Sequence, residues 1–169
     1  MCLDAVRCIL GKRDSRSYTN QPISDETLVR ILRGGRMAGS SKNTQPWRFV
    51  VLRDAKRREE LAACGNFATP MLAAPLAIAI VLAPGGNAFD AGRTAQNMML
   101  AAWDEGITSC PVAMHDRECA AQTLGVPDEH VVAMVITFGY PESKESMHRG
   151  IARTPLADLV HYERWSAQS

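Results

Sequence analysis

Three cations within five residues, Lys12, Arg13 and Arg16, follow the first helical segment of this chain, with Asp14 set between them. Taken alone, such a turn is a solvated charged surface. The same side chains could also clamp a phosphate, because each guanidinium offers a planar fork of donors that matches phosphate oxygens. Asp14 could instead accept from a ring N–H or a hydroxyl, and Arg149 and Arg153 in the polar tail could converge on the same anion. A second donor-rich stretch, Ser40, Ser41, Asn43 and Gln45, is held at its far end by Pro46-Trp47. It reads either as a capping turn or as a loop able to recognise the edge of a flat heterocycle.

Other candidates fail on their own chemistry. Gly34 to Ser41 (GGRMAGSS) is no phosphate loop, since Ser40 stands where the motif requires Lys and the glycines end a helix where they should start one. No GxGxxG occurs, so a Rossmann dinucleotide site is unsupported. His115, Glu118 and Cys119 fall at helical spacing but lack a second ligand pair, and read as helix surface and core. A Cys110–His115 nucleophile pair has no third group to orient it, and a cysteine ending an apolar strand reads as a small core residue.

The elements that must position these groups follow from periodicity and caps. Ala5, Cys8 and Ile9 predict a helix near residues 3–11. Ser24 is a good N-cap with Asp25 and Glu26 in the first turn, and Leu28, Ile31 and Leu32 mark one face of a second helix running into Gly34-Gly35. Residues 40–46 read as a loop, Trp47 to Leu52 as a strand, and Asp54 as the cap of a third helix. Met71 to Pro84 reads as a core strand, with the run Leu76 to Leu82 buried on both faces. In the helix from Ala88 to Glu105, Ala91, Ala95, Met98, Met99 and Ala102 fall on adjacent faces and the opposite face is thinly charged. Cover on nearly every side is therefore expected there, which a dimer could supply. A strand at Ile107 to Val112, a helix at Asp116 to Leu124 closing at Gly125, and a strand at Val131 to Tyr140 complete the body. Leu156, Leu159, Val160, Tyr162 and Trp165 form an apolar docking segment in the tail.

The chain has 169 residues, 46% of them hydrophobic, with 19 Lys+Arg against 18 Asp+Glu. That describes one soluble globular domain over residues 1–169, and the near-neutral balance argues against nucleic acid as the main partner. Cys2, Cys8, Cys64, Cys110 and Cys119 are odd in number and dispersed without a CxxC pair, so no disulfide framework or zinc knuckle is expected and a reducing cytoplasm fits best. Asp4 and Arg7 interrupt the N-terminus, which excludes an ordinary secretory signal, and no apolar run is long enough for a bilayer span.

Read together, Lys12-Arg13-Asp14-Ser15-Arg16-Ser17-Tyr18-Thr19, Pro22-Ile23 and Ser40-Ser41-Lys42-Asn43-Thr44-Gln45-Pro46-Trp47 resemble the nitroreductase family of FMN enzymes. Ala95 to Ala102, Gly139-Tyr140-Pro141, and Arg153-Thr154-Pro155-Leu156 running to Trp165 extend the resemblance in family order along nearly the whole chain. It implies an α+β fold with a central, mostly antiparallel sheet flanked by helices, in an intertwined homodimer with FMN at the interface, and it would put the helix at 88–105, with Ala95, at the seam. Lys12, Arg13, Arg16 and Arg153 would hold the phosphate and ribityl chain, with Asp14 beside them. Ser40, Ser41 and Asn43, with Gln45, would line the flavin from the other subunit, and Pro111, Val112, Ala113 and Met114 would offer backbone N–H groups near its reactive nitrogen. The implied activity is ping-pong reduction of a small acceptor, a nitroaromatic, a quinone or another flavin, by NAD(P)H. The alternatives are a non-catalytic flavin carrier and a relative of the flavin-fragmenting dimethylbenzimidazole synthase, which needs a sealed pocket. Three departures stand out: Gly39 replaces a common proline, Asp14 replaces a frequent serine, and only Ala83 to Asn87 fills a connection where many members insert a helical lid.

Overall fold

The two long apolar runs lie side by side at the middle of one sheet. Its strands are β1 (Asp14–Ser15), β2 (Trp47–Leu52), β3 (Leu76–Leu82), β4 (Thr108–Val112), β5 (Val131–Gly139) and β6 (Met147–His148). The computed structural model describes residues 4–148 and 152–165. The strand order is β2-β3-β5-β4-β1-β6, and of the five pairings only β1 with β4 is parallel. An α+β architecture with a mixed, mostly antiparallel sheet is what the sequence implied.

Helices cover both faces: α1 (Ala5–Gly11), α2 (Asp25–Arg36), α3 (Ala55–Ala62), α4 (Pro70–Ala73), α5 (Ala88–Asp104) and α6 (Arg117–Leu124). Every residue of β3 is buried. Side chains alternate across a strand, so Leu76, Ile78, Ile80 and Leu82 join Ile31 and Met98 under α2 and α5, while Ala77, Ala79 and Val81 join Leu61, Met71 and Ala120 under α3, α4 and α6. The caps act as their residue types dictate. Ser24 accepts the Thr27 N–H at 3.1 Å, Asp54 accepts that of Arg57 at 2.9 Å, and Asp116 that of Cys119 at 2.8 Å.

Four expectations are corrected. The Met71–Pro84 run opens as the short helix α4, with Pro70 at its first position, and turns into a strand only at Leu76. Helix α2 continues through Gly34-Gly35 to Arg36, because the glycines serve packing: a Cβ on Gly34 would lie 2.9 Å from the Ala101 Cβ and 3.1 Å from the Asn97 carbonyl oxygen of α5. Gly34→Leu is accordingly expected to destabilise the fold by about 2 kcal/mol in denaturant titration, overpacking outweighing the gain in helix propensity of about 0.8 kcal/mol. Helix α5 is not covered on every side by its own chain, and the placing of Ala95 at a seam is what the structure overturns. Ala95 is 2% exposed within its own chain's core, whereas Phe89, Gly92, Arg93 and Gln96 form an open stripe. Finally, the cysteines are not all free, since Cys64 after α3 and Cys119 in α6 are disulfide-bonded across 55 residues. Packing of α3 against α6 creates that pair, and sequence spacing does not show it.

The apolar tail docks on no core of its own chain: Leu156, Leu159, Val160, Tyr162 and Trp165 are all exposed, as are Val6, Ile9 and Leu10 on α1. Among the described residues, no helix is long and apolar enough to cross a membrane.

Candidate functional site

Tyr18 fixes the short cation-bearing strand. Its ring lies so close across Gly139 that a Cβ there would come within 2.7 Å of the ring, and its hydroxyl donates to the Ser15 carbonyl at 2.5 Å and sits 2.8 Å from Thr137 Oγ1. The Thr19 N–H donates to the Tyr140 carbonyl at 2.9 Å, and Tyr18 forms a β-bridge with Pro141. The Gly139-Tyr140-Pro141 block is thus the seat on which residues 12–19 are mounted. Burial pushes the Tyr18 phenol well above its ordinary range and keeps it a donor.

On that mount the Lys12 ammonium pairs with the Asp14 carboxylate and lies 3.5 Å from Met99 Sδ of α5. Arg16 is exposed at the surface and acts on the Cys110 thiol of β4 as a hydrogen-bond partner and a charge. Burial is the larger influence on Cys110 and raises its pKa, so the thiol is a poor nucleophile. Arg13 diverges: it donates to the Leu10 and Lys12 carbonyls at 2.9 Å each, and faces a hollow of about 330 Å³ shared with Lys144 and Trp103. The Ser109 hydroxyl, in register with Asp14, is buried and has no partner among the described residues. Arg153 sits in the exposed tail with no described contact to this cluster, and Arg149 lies outside the described residues.

The second cluster is strained. Lys42, Asn43 and Gln45 all have positive φ, at 51°, 55° and 48°. Such backbone costs energy in a non-glycine residue and gathers at ligand clamps. Ser40 Oγ accepts the Gln45 N–H at 2.9 Å, the Pro46 carbonyl accepts the Ala83 N–H at 2.8 Å, and Ser41, Asn43 and Gln45 stay exposed. Gly39 leaves room for the Arg93 guanidinium, beside a hollow of about 570 Å³ bounded by Met37, Phe89 and Gln96.

The structure does not bring the two clusters together in one chain. The loop enters β2 at one edge of the sheet, and β1 lies four strand spacings away, about 19 Å at about 4.8 Å each. Register widens the gap, because Trp47 leads through Leu82 and Val131 to the Val112 end of β4, whereas Asp14 pairs with Ser109.

Pro111 to Met114 closes β4. Pro111 has no N–H to give, so any donors there come from Val112, Ala113 and Met114. The loop after α3 braces this segment from behind: the Asp116 N–H donates to the Cys64 carbonyl at 3.0 Å, and the Asn66 N–H donates to His115 Nδ1 at 3.2 Å. Phe67, 77% exposed, meets the His115 ring edge-on at 5.6 Å. His115 Nδ1 is thus engaged in holding a turn; among the described residues no group of three potential ligands could hold a metal ion. Asn66, Phe67 and Cys64 were missed in the sequence, where 49 residues separate Asn66 from His115.

The profile of the Nitroreductase family matches residues 9–74 and 71–140. The chain belongs to the nitroreductase family. A relative from Archaeoglobus fulgidus, provisionally named an NADH dehydrogenase/NAD(P)H nitroreductase, is 28% identical over 96% of this chain and 99% of its own length. The NADPH-flavin oxidoreductase of Vibrio harveyi is also 28% identical, over 96% of this chain and 75% of its own. The solved structure of an FMN-dependent nitroreductase from Clostridium difficile R20291 has a TM-score of 0.83 over 95% of this chain and 99% of that one, at 24% identity, a likeness of fold. The nitroreductase match spans both donor clusters and the Pro111–Met114 segment, and ends at Tyr140, before the tail that carries Arg153.

Proposed function

We propose that this nitroreductase is an FMN-dependent oxidoreductase that takes hydride equivalents from NAD(P)H and reduces a small acceptor, working as a homodimer. The observation that carries the reading is the separation of the two donor clusters, one on β1 and one at the entry to β2, four strand spacings apart; on this reading each is half of a flavin site and a second copy supplies the other half. The stripe along α5, the exposed face of α1 and the apolar tail offer the surface for that copy. The relatives' names support flavin and NAD(P)H as the reactants.

The donor set fits FMN. A dianionic phosphate matches Arg16 and Lys12, with Arg13 and the tail's Arg153 available at the rim. Asp14, relieved of Lys12, and the unpartnered Ser109 hydroxyl would take the ribityl hydroxyls. Ser40, Ser41, Asn43 and Gln45 of the second copy would meet the polar edge of the ring, and the N–H groups of Val112 to Met114 its reactive face. Bound there, FMN supplies two-electron chemistry that no side chain of this site provides. The protein's task is to hold the ring, keep NAD(P)H and acceptor on one face, and leave that face open. The Ala83–Asn87 turn, closed by the Gly86 N–H to the Ala83 carbonyl at 3.0 Å, puts no lid there, which suits a nitroaromatic, a quinone or a free flavin. We read the chain as one domain over residues 1–169, acting in the cytoplasm.

The test is an absorption spectrum after FMN addition and desalting, then anaerobic NADH or NADPH. Retained flavin that bleaches, and recovers with an acceptor, is the expected result. Retained flavin that stays oxidised would make the protein a carrier, and no retained flavin would remove the cofactor assignment. Arg16→Ala is expected to weaken FMN binding by about 1.5–3 kcal/mol, roughly 10- to 150-fold. Unchanged affinity in a folded dimer would take Arg16 out of the clamp.

A further inference from the structure

We propose that Cys64 and Cys119 form a reversible redox site, opened by exchange with a low-molecular-weight thiol or dithiol, whose state sets the rigidity of the Ala113–Asp116 turn. The exchange itself stands apart from the flavin reading; only an effect on FMN would rest on it.

The two cysteines sit 5.6 Å apart at Cα, inside the range a disulfide spans without backbone movement. Both flank one junction. Cys64 holds the Asp116 N–H through its carbonyl, and its neighbour Gly65 lies so close to Met114 and Ala113 that a Cβ would come within 3.1 Å of Met114 Cε and 3.3 Å of the Ala113 carbonyl oxygen. Cys119 lies in the first turn of α6, its own N–H held by the Asp116 cap. The bond therefore ties the back of the turn to the helix that follows it.

Its chemistry favours exchange. Cys64 is 3% exposed and Cys119 half-buried, so an attacking thiolate reaches Cys119 first. A thiol in the first turn of a helix is also stabilised as thiolate by the backbone N–H groups, so Cys119 is a good leaving group once it sits in a mixed disulfide and a second thiol attacks the reductant sulfur. Attack on the Cys119 sulfur forms a mixed disulfide and expels Cys64 as a thiolate. That thiolate takes a proton, and acceptors stand ready for the resulting S–H, the Glu60 carbonyl at 3.9 Å and Thr123 Oγ1 at 3.7 Å. A second reductant thiol then releases Cys119. The reductant loses two electrons and becomes a disulfide, and the two cysteines gain two electrons and two protons. The remaining described cysteines, Cys8 and Cys110, are buried and take no part. In a reducing compartment a protein disulfide is seldom static scaffolding and is usually redox-responsive.

The experiment uses the full-length wild-type protein equilibrated with graded mixtures of reduced and oxidised glutathione, and with dithiothreitol. Free thiols are counted by iodoacetamide labelling and mass spectrometry with peptide mapping, and backbone exchange is followed in the same samples. Expected are a Cys64–Cys119 peptide that opens and re-forms reversibly in the folded protein, a Tm about 5–10 °C lower when reduced, and amide exchange at least tenfold faster across residues 113–116. Cys64→Ser and Cys119→Ser should both show the reduced protein's Tm and its exchange across residues 113–116 in every mixture, with at most a glutathione adduct on the remaining cysteine. Full labelling of both cysteines under oxidised glutathione would overturn the proposal. So would a bond that resists both reductants while the protein stays folded, or exchange at residues 113–116 that ignores the thiol state. None of these readouts requires FMN, so a failure here and a failure of the flavin reading are separable.

Discussion

Gly139→Val is expected to lower stability by about 3 kcal/mol and to abolish FMN retention. A valine side chain at 139 must occupy the space where the Tyr18 ring lies, with the first added carbon already within 2.7–2.8 Å of Tyr18 atoms. Neither side can give way, because the backbone at 139 pairs with Thr108 and the Tyr18 hydroxyl is held by Ser15 and Thr137. Overpacking alone costs about 1–3 kcal/mol, and displacing Tyr18 adds a buried hydrogen bond of about 1 kcal/mol. Once Tyr18 leaves, Lys12, Asp14 and Arg16 lose the mount that holds them against β4 and α5. Tyr18→Phe is the control: it keeps the ring on Gly139, while Thr137 keeps its bond to the Cys110 carbonyl at 3.1 Å. Its loss should be only about 1–2 kcal/mol, with flavin retained. Denaturant titration and flavin absorbance after desalting decide the matter, and a Gly139→Val protein that still holds FMN would disconnect Tyr18 from the site.

Gly92→Trp should separate the subunits and release the flavin without unfolding the chain. A Cβ at Gly92 meets nothing within 4 Å, and its neighbours Phe89, Arg93 and Gln96 are exposed, so an indole fits the isolated protomer and obstructs only a second copy. Light scattering should show the monomer mass, far-ultraviolet dichroism an unchanged fold, and FMN affinity a fall of about 100-fold or more, since in the proposed site the Ser40–Gln45 half departs with the other subunit. Ala95→Trp, by contrast, should unfold the protomer, because Ala95 is packed in the core with Ile31 and Met98. A dimeric Gly92→Trp protein with full flavin would place the interface elsewhere.

Much of this was readable one residue at a time. Caps at Ser24 and Asp54 act over three residues, and the apolar run of β3 is local to seven, so short-range chemistry suffices to announce them. The donor clusters were legible for the same reason, as cations and hydroxyls state their chemistry by type. The Ser40–Gln45 loop was legible only as a donor set. Its three positive φ values, and the Ala83 N–H that holds the Pro46 carbonyl at its exit, show only in the folded chain.

What the sequence by itself determined, then, is the type of the longer elements, the burial of β3 on both faces and the two donor clusters named by side-chain chemistry. Tertiary structure decided that the two donor clusters lie four strand spacings apart, that Gly34 is a crossing point and not a stop, that Ala95 faces inward and Gly92 outward, and that Cys64 meets Cys119. Each of these depends on which face of one helix or strand packs against an element far along the chain, 55 residues away for the cysteines. Periodicity gives a face its polarity. Only the register of packing gives it a partner.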